Sequence, residues 1–306
     1  MNAIKFLLLW VTVTIVMVIT WSLGFVAGNA ITHTSPPPGG DPALAFVSFV
    51  GVCVFNSLLL SILFWLTRIY SGISKIIGLF SFCFIIQFVL MQMESIFFGD
   101  GIGIQNPQVA SIIIAGFIMS TATILVGVAI VSKMSQEPKQ QFTMVVNEWR
   151  PFVVPFLLLS CIVYPLIYLT FGYYIAWQNE NLRIFYTKSS ELTSFFHQGA
   201  GSLADGLYFF QILRAVIWVI ATIPLVAMLR HLKGYYLLVG LFTSLLPAAQ
   251  LFIPNPYMPQ EIAMVHFVET ASSNFIWGAL IAIVVNKYLH LRQRDQVHSV
   301  FGKTAG

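Results

Sequence analysis

The sequence predicts an all-α polytopic membrane protein, a bundle of about eight transmembrane helices in one integral membrane domain with both termini cytoplasmic. Three observations predict it. Hydrophobic residues make up 58% of the 306 positions and charged residues only 8%, against about a quarter charged in soluble proteins. The mean hydropathy is +0.85. The apolar residues fall into runs close to the roughly 20 that a helix needs to cross a bilayer, and the basic residues gather in alternate connections, as the positive-inside rule requires.

The first run covers about 6–26, after Lys5 and before Gly28-Asn29-Ala30. A secretory signal has an apolar region of only about 7 to 15 residues, so this longer run reads as an anchor. The segment Pro36-Pro37-Pro38-Gly39-Gly40 cannot be helical and breaks the chain before a second span at about 43–66. Arg68 and Lys75 mark the following turn. A third span at about 76–98 carries Gln87 and Glu94, and a fourth follows at about 109–131 after the punctuation of 100–107. The polar stretch 135–150 reads as an amphipathic lead-in on the membrane surface.

A fifth span, about 151–177, begins at Pro151, where proline is tolerated in a first helical turn, and ends in Tyr173, Tyr174 and Trp177. The longest connection, 178–205, reads as an extracytoplasmic loop that could serve as a lid, with a short helix at about 190–198 ended by Gly199. The alternative for that helix is a position on the lipid headgroups. The sixth span is about 207–229 with Gln211 and Arg214, and the seventh about 235–252 with Pro247 near its end. The stiff turn Pro254-Asn255-Pro256-Tyr257-Met258-Pro259 leads into the eighth, about 262–288, and a short basic tail. No internal repeat of the kind common in secondary transporters is found.

Placing the connections alternately on two sides tests the orientation. Of the 15 Lys and Arg, only Arg183 and Lys188 fall on one side, Arg214 lies within a span, and all the others share the opposite side. That side is read as cytoplasmic. The net charge of +4 therefore reports topology, and nucleic acid is not expected as a partner. Neither GxxxxGK[ST] nor GxGxxG occurs, so no nucleotide is expected. Membrane lipids are expected neighbours, and no cofactor is predicted. Cys53, Cys83 and Cys161 lie inside apolar runs and read as small core residues. The absence of an Asn-x-Ser/Thr sequon suggests a prokaryotic cell membrane, the inner or plasma membrane.

With this topology, polar side chains from four helices converge at one depth near the outer surface. His266 and Glu269 lie one and two turns into the eighth span, Glu94 about one turn below the surface in the third, Gln211 and Arg214 in the sixth, and Gln250 near the outer end of the seventh. Ionisable groups at membrane depth cost about 2.5 to 3.5 kcal/mol on insertion scales and usually face a protein interior or a water-filled cavity. Arg214 is expected to pair with Glu94 or Glu269. Ser273 continues the face of His266, and Asn274 beside it could bond between helices.

The pair His266-x-x-Glu269 puts two donors on one helix face, a spacing seen in metal-binding bundles. No second pair exists, so a metal would need Glu94 and a loop residue such as His197. A titrating Glu269 beside an Arg requires fewer assumptions. The leading function is binding or transport of a small polar solute, ion or lipid headgroup in an outward-facing pocket formed by Glu94, Gln211, Arg214, Gln250, His266, Glu269, Ser273 and Asn274, with proton coupling as an option. The alternative is an intramembrane enzyme acting on a lipid or lipid-linked substrate, with Glu94 or Glu269 as acid or base and His266 as partner. A third reading is a structural or sensory partner protein whose polar cluster only fixes helix register.

Overall fold

Among the described residues of the computed structural model, eight helices are long and apolar enough to cross a membrane, which makes the chain a multi-pass membrane protein. They are α1 (Ala3–Thr32), α2 (Pro42–Leu66), α3 (Ile73–Phe97), α4 (Asn106–Met134), α5 (Arg150–Ala176), α8 (Leu207–Leu229), α9 (Tyr235–Phe252) and α10 (Gln260–Asn286). Two shorter helices, α6 (Glu180–Thr187) and α7 (Phe195–Ala204), lie between α5 and α8. The structure describes residues 3–35, 41–99, 103–135, 139–142, 144–145 and 149–291. Pro36 to Gly40, residues 100–102, much of the 135–150 stretch and the basic tail beyond Leu291 lie outside the described residues.

The spans sit within a few residues of the expected ones, except that α1 runs on to Thr32. The reason is its packing on α4. A Cβ on Gly28 would lie 2.5 Å from the Ser111 carbonyl oxygen, and one on Gly24 2.8 Å from the Ala115 Cα. Two glycines a turn apart therefore let the backbones touch, the small-residue device of membrane helices. The Ser111 hydroxyl donates to Asn29 Oδ1 at 2.6 Å and closes the crossing. Gly28→Leu is expected to cost about 1 to 3 kcal/mol through overpacking. Melting in detergent checks this against Gly51→Leu, because a Cβ on Gly51 meets nothing within 4 Å.

The core lies where α3, α8, α9 and α10 meet. α8 is the most enclosed span, and Leu225, Val226, Trp218, Phe242, Trp277 and Phe82 are wholly buried around it. α9 and α10 also cross closely. A Cβ on Gly240 would lie 2.7 Å from the Phe275 carbonyl oxygen, while the Thr243 hydroxyl reaches the Asn274 carbonyl and the Ser244 hydroxyl the Ala271 carbonyl. Such hydroxyl bonds between helices fix their register.

One end of the bundle gathers the loops after α2, α4, α8 and α10. There β1 (Tyr70–Ser71) pairs in parallel with β2 (Gln140–Gln141), and β3 (Met144–Val145) antiparallel with β4 (His290–Leu291). Within the expected amphipathic lead-in at 135–150, residues 140–141 and 144–145 are thus extended backbone, because their main chain pairs with neighbouring loops, while Trp149 and Arg150 are already helical. Lys75 also departs from the reading. It lies in the first turn of α3, buried, with Nζ on the Tyr70 carbonyl at 3.2 Å.

The basic residues here also satisfy helix ends. Arg68 Nη1 donates to the Trp65 carbonyl at 3.0 Å, Lys139 Nζ to the Ser132 carbonyl at 2.7 Å, and Arg230 Nη1 to the Leu289 carbonyl. Cations are favoured at helix C-termini, and α2, α4, α8 and α10 all end at this face.

Candidate functional site

The opposite, capped end holds the polar residues. Phe97, at the end of α3, stacks on Phe210 in the first turn of α8 with ring centres 4.3 Å apart. That contact sets Glu94, three residues before Phe97, against Arg214, four residues after Phe210. Arg214 Nη1 donates to Glu94 Oε1 and, at 2.9 Å, to Gln211 Oε1. The expected partner is therefore Glu94 rather than Glu269. Arg214 keeps only 3% of its side chain exposed, whereas Glu94 keeps 34%, so the pair is sealed on one side and open on the other.

α10 begins after Pro259 and carries His266 and Glu269 on one face. His266 Nδ1 meets Glu269 Oε2 at 3.1 Å, and its Nε2 meets the Tyr186 hydroxyl at 3.0 Å. With the ring neutral, Nδ1–H donates to the carboxylate and Nε2 accepts from the phenol. With the ring protonated, Nε2–H donates to the phenol oxygen, so either state keeps both contacts. Glu94 lies within electrostatic reach of Arg214, His266 and Glu269, and Arg214 within reach of Glu269 as well. Tyr164 and Tyr168 of α5 lie within reach of Glu94, Glu269 and Arg214 as well.

Tyr186 belongs to α6, which covers this end. Asn179 caps the helix by accepting from the Leu182 N–H at 2.9 Å, and Lys188 ends it with φ 59°. Leu182, Ala176 and Ile262 are buried together, with Phe185, Tyr186, Met258 and Val265 packed around them. Arg183 ties the loop to itself, with Nη1 on the Trp177 and Gln178 carbonyls and Nε on that of Ser190. Asn181 Nδ2 reaches Glu261 Oε1 at 2.6 Å. Burial and the two nearby carboxylates push the Tyr186 phenol well above its ordinary pKa, so it remains a neutral hydrogen-bonding group.

The short helix expected at 190–198 starts instead at Phe195, capped by Ser194, and runs through Gly199 to Ala204. Gly199 does not end it because the backbone stays right-handed there; the left-handed residue is Gly206, with φ 75°. None of the side chains of α7 is buried, and Phe196 is 85% exposed. α6 is thus a docked cap, while α7 lies at the margin. The α6 helix was missed in the sequence reading, although Asn179 followed by Glu180 is a helix-start signal.

Not every expected site residue joins the cluster. Gln250 Nε2 bonds the Gln87 carbonyl at 3.0 Å, inside the wide π turn Ile85–Val89 of α3. Asn56 Nδ2 bridges Gln87 Oε1 and the Leu246 carbonyl. These groups form a second network between α2, α3 and α9, and it serves backbone left exposed by irregular winding. Ser273 bonds back to the Thr270 carbonyl of its own helix, and Asn274 offers its carbonyl to the α9–α10 crossing. His197 is exposed on α7. Among the described residues no three His, Cys, Asp or Glu form a metal-ligand group, so Glu94, His266 and Glu269 are not arranged as a ligand set.

Tyr164, Tyr168 and Tyr186 were not singled out in the sequence. The first two are four residues apart inside a span, a spacing that places them on one face. Two π turns, Leu159–Val163 and Gly172–Ala176, flank their helical segment. Such turns often occur at functional sites. The chain matches no protein-family model, no curated protein and no solved structure in the comparisons made.

Proposed function

We propose that this protein binds or transports a small polar solute, or a lipid headgroup, in a pocket at the capped end. The pocket is formed by Glu94, Gln211, Arg214, His266 and Glu269 with Tyr164, Tyr168 and Tyr186. The observation that carries the reading is the meeting of two ionic pairs from three spans, Glu94–Arg214 and His266–Glu269, beneath a helix that is itself bonded to one of them. A cluster that only fixed helix register would need no cap hydrogen-bonded to its histidine. Among the described residues Arg68, Lys139 and Arg230 lie at the far end, which supports a pocket that opens away from the cytoplasm of a cell membrane. His266 can gain or lose a proton without losing either contact, which suits coupling of occupancy to protonation.

The enzyme reading has less support. Both ring nitrogens of His266 are engaged, so a proton-transfer role toward substrate would require Tyr186 to leave.

The test is a melting-temperature panel on the purified protein with amino acids, amines, carboxylates, phosphates and sugars. One chemical class is expected to stabilise the wild type, and Glu269→Gln, which keeps shape while deleting charge, is expected to melt within about 1 kcal/mol of it and to lose that response. A panel in which neither a soluble class nor phospholipid in nanodiscs stabilises the wild type, or in which Glu269→Gln responds fully, contradicts the proposal.

A further inference from the structure

One face of α8 carries a row of unsatisfied donors. Gln211 Nε2, Arg214 Nε and Trp218 Nε1 have no hydrogen-bond partner, and the three residues are 1%, 2% and 0% exposed. Their spacing, i, i+3 and i+7, puts them on one stripe. Trp277 Nε1 on α10 is also unpartnered, and the Trp277 ring packs on Tyr164 with centres 4.9 Å apart. The Tyr164 hydroxyl lies near the Trp218 indole but short of hydrogen-bond geometry.

Buried unpaired N–H groups are rare in native proteins, and each needs an explanation. Gln211 Oε1 and Glu94 Oε1 are taken by Arg214, and Glu269 Oε2 by His266. Acceptor atoms brought in by a bound solute would satisfy the row. Two carboxylates, Glu94 and Glu269, lie within electrostatic reach of the same arginine, so a bare anion meets repulsion there. A solute with an ammonium group beside its oxyanion matches both features.

Resting on the pocket reading above, we propose that the site takes a zwitterion, its oxyanion on the Gln211, Arg214 and Trp218 donors and its ammonium group toward Glu94 and Glu269. Carboxylate and phosphate oxyanions share this chemistry, and the second occurs both in free solutes and in an aminophospholipid headgroup.

The probes are glycine, phosphoethanolamine and ethylamine, titrated by tryptophan fluorescence into the full-length protein in detergent. A lipid arm compares melting in nanodiscs of phosphatidylethanolamine with nanodiscs of phosphatidylcholine. The variants are Trp218→Phe, which removes one N–H and keeps an aromatic ring, and Gln211→Glu, which keeps the acceptor for Arg214 and removes the donors.

Saturable binding of glycine or phosphoethanolamine is expected, weakened about tenfold in either variant, the worth of one charge-assisted hydrogen bond. Trp218→Phe should leave the melting of the empty protein unchanged or higher, since it deletes an unsatisfied group. If the free solutes do not bind but phosphatidylethanolamine stabilises the wild type and not the two variants, the proposal stands with the lipid as source. Equal binding of ethylamine and glycine overturns the oxyanion subsite while leaving the pocket intact. Absence of binding in both arms, or binding unaffected by both variants, overturns the proposal. In that case labelling of Glu94→Cys from water, described below, decides separately whether the pocket reading survives.

Discussion

Arg214→Met is expected to destabilise the purified protein by about 3 kcal/mol, the lower part of the range for breaking a buried ion pair. The lower part applies because Glu94 keeps a third of its side chain exposed and can recover some hydration once its partner is gone. Gln211 Oε1 loses its donor in the same step. Adding Glu94→Gln removes the stranded charge and is expected to restore part of the loss, whereas adding Glu269→Gln is not, because Glu269 is held by His266. Melting curves of the three variants read this directly. Recovery with Glu269→Gln and not with Glu94→Gln would assign the pair to the wrong helix.

Arg183→Met is expected to release the cap while leaving the spans folded. Three carbonyls, those of Trp177, Gln178 and Ser190, lose one charged donor group at once. Each hydrogen bond to a charged group is worth about 1.5 to 3 kcal/mol. The loss exceeds what a helix of about two turns with a small apolar underside can absorb. Amide exchange across 177–190 should then rise at least a hundredfold, with α8 and α10 unchanged beyond their first turns. The Tyr186–His266 contact should open with it. Exchange confined to wild-type rates would mean that the apolar contacts around Leu182 and Ile262 hold the cap alone.

Span number and position were legible because hydropathy over about 20 residues is a strong signal and a bilayer leaves little choice of backbone. The depth of Glu94, Arg214, His266 and Glu269 followed from the same count. The pairing of Arg214 was not decided by depth, since two carboxylates stood at its level. It depends on the Phe97–Phe210 stack, a contact between helices that no single span reveals. Gln250 was misassigned for a related reason. Depth placed it with the cluster, but the π turn of α3 presents a free carbonyl at Gln87, and a local winding fault of that kind has no hydropathy signature. The tyrosines went unnoticed because aromatic residues are ordinary in apolar spans, and only the fold shows Tyr164 and Tyr168 facing the charges. Loop helices followed capping residues more closely than glycines, as Asn179 and Ser194 show.

The central claim is that water and small solutes reach the Glu94–Arg214 pair from the side opposite the basic loops. Its most direct test is labelling of Glu94→Cys in intact cells by a small, charged, membrane-impermeant thiosulfonate, in a background with Cys53, Cys83 and Cys161 replaced by alanine. A cysteine at Gln140, on the β2 strand of the basic end, is the control. The account predicts that Glu94→Cys is modified and Gln140→Cys is not until the cells are opened. Modification of Gln140→Cys alone would invert the topology, and a Glu94→Cys that stays unreactive in both intact and opened cells would mean that the cluster is a sealed structural element.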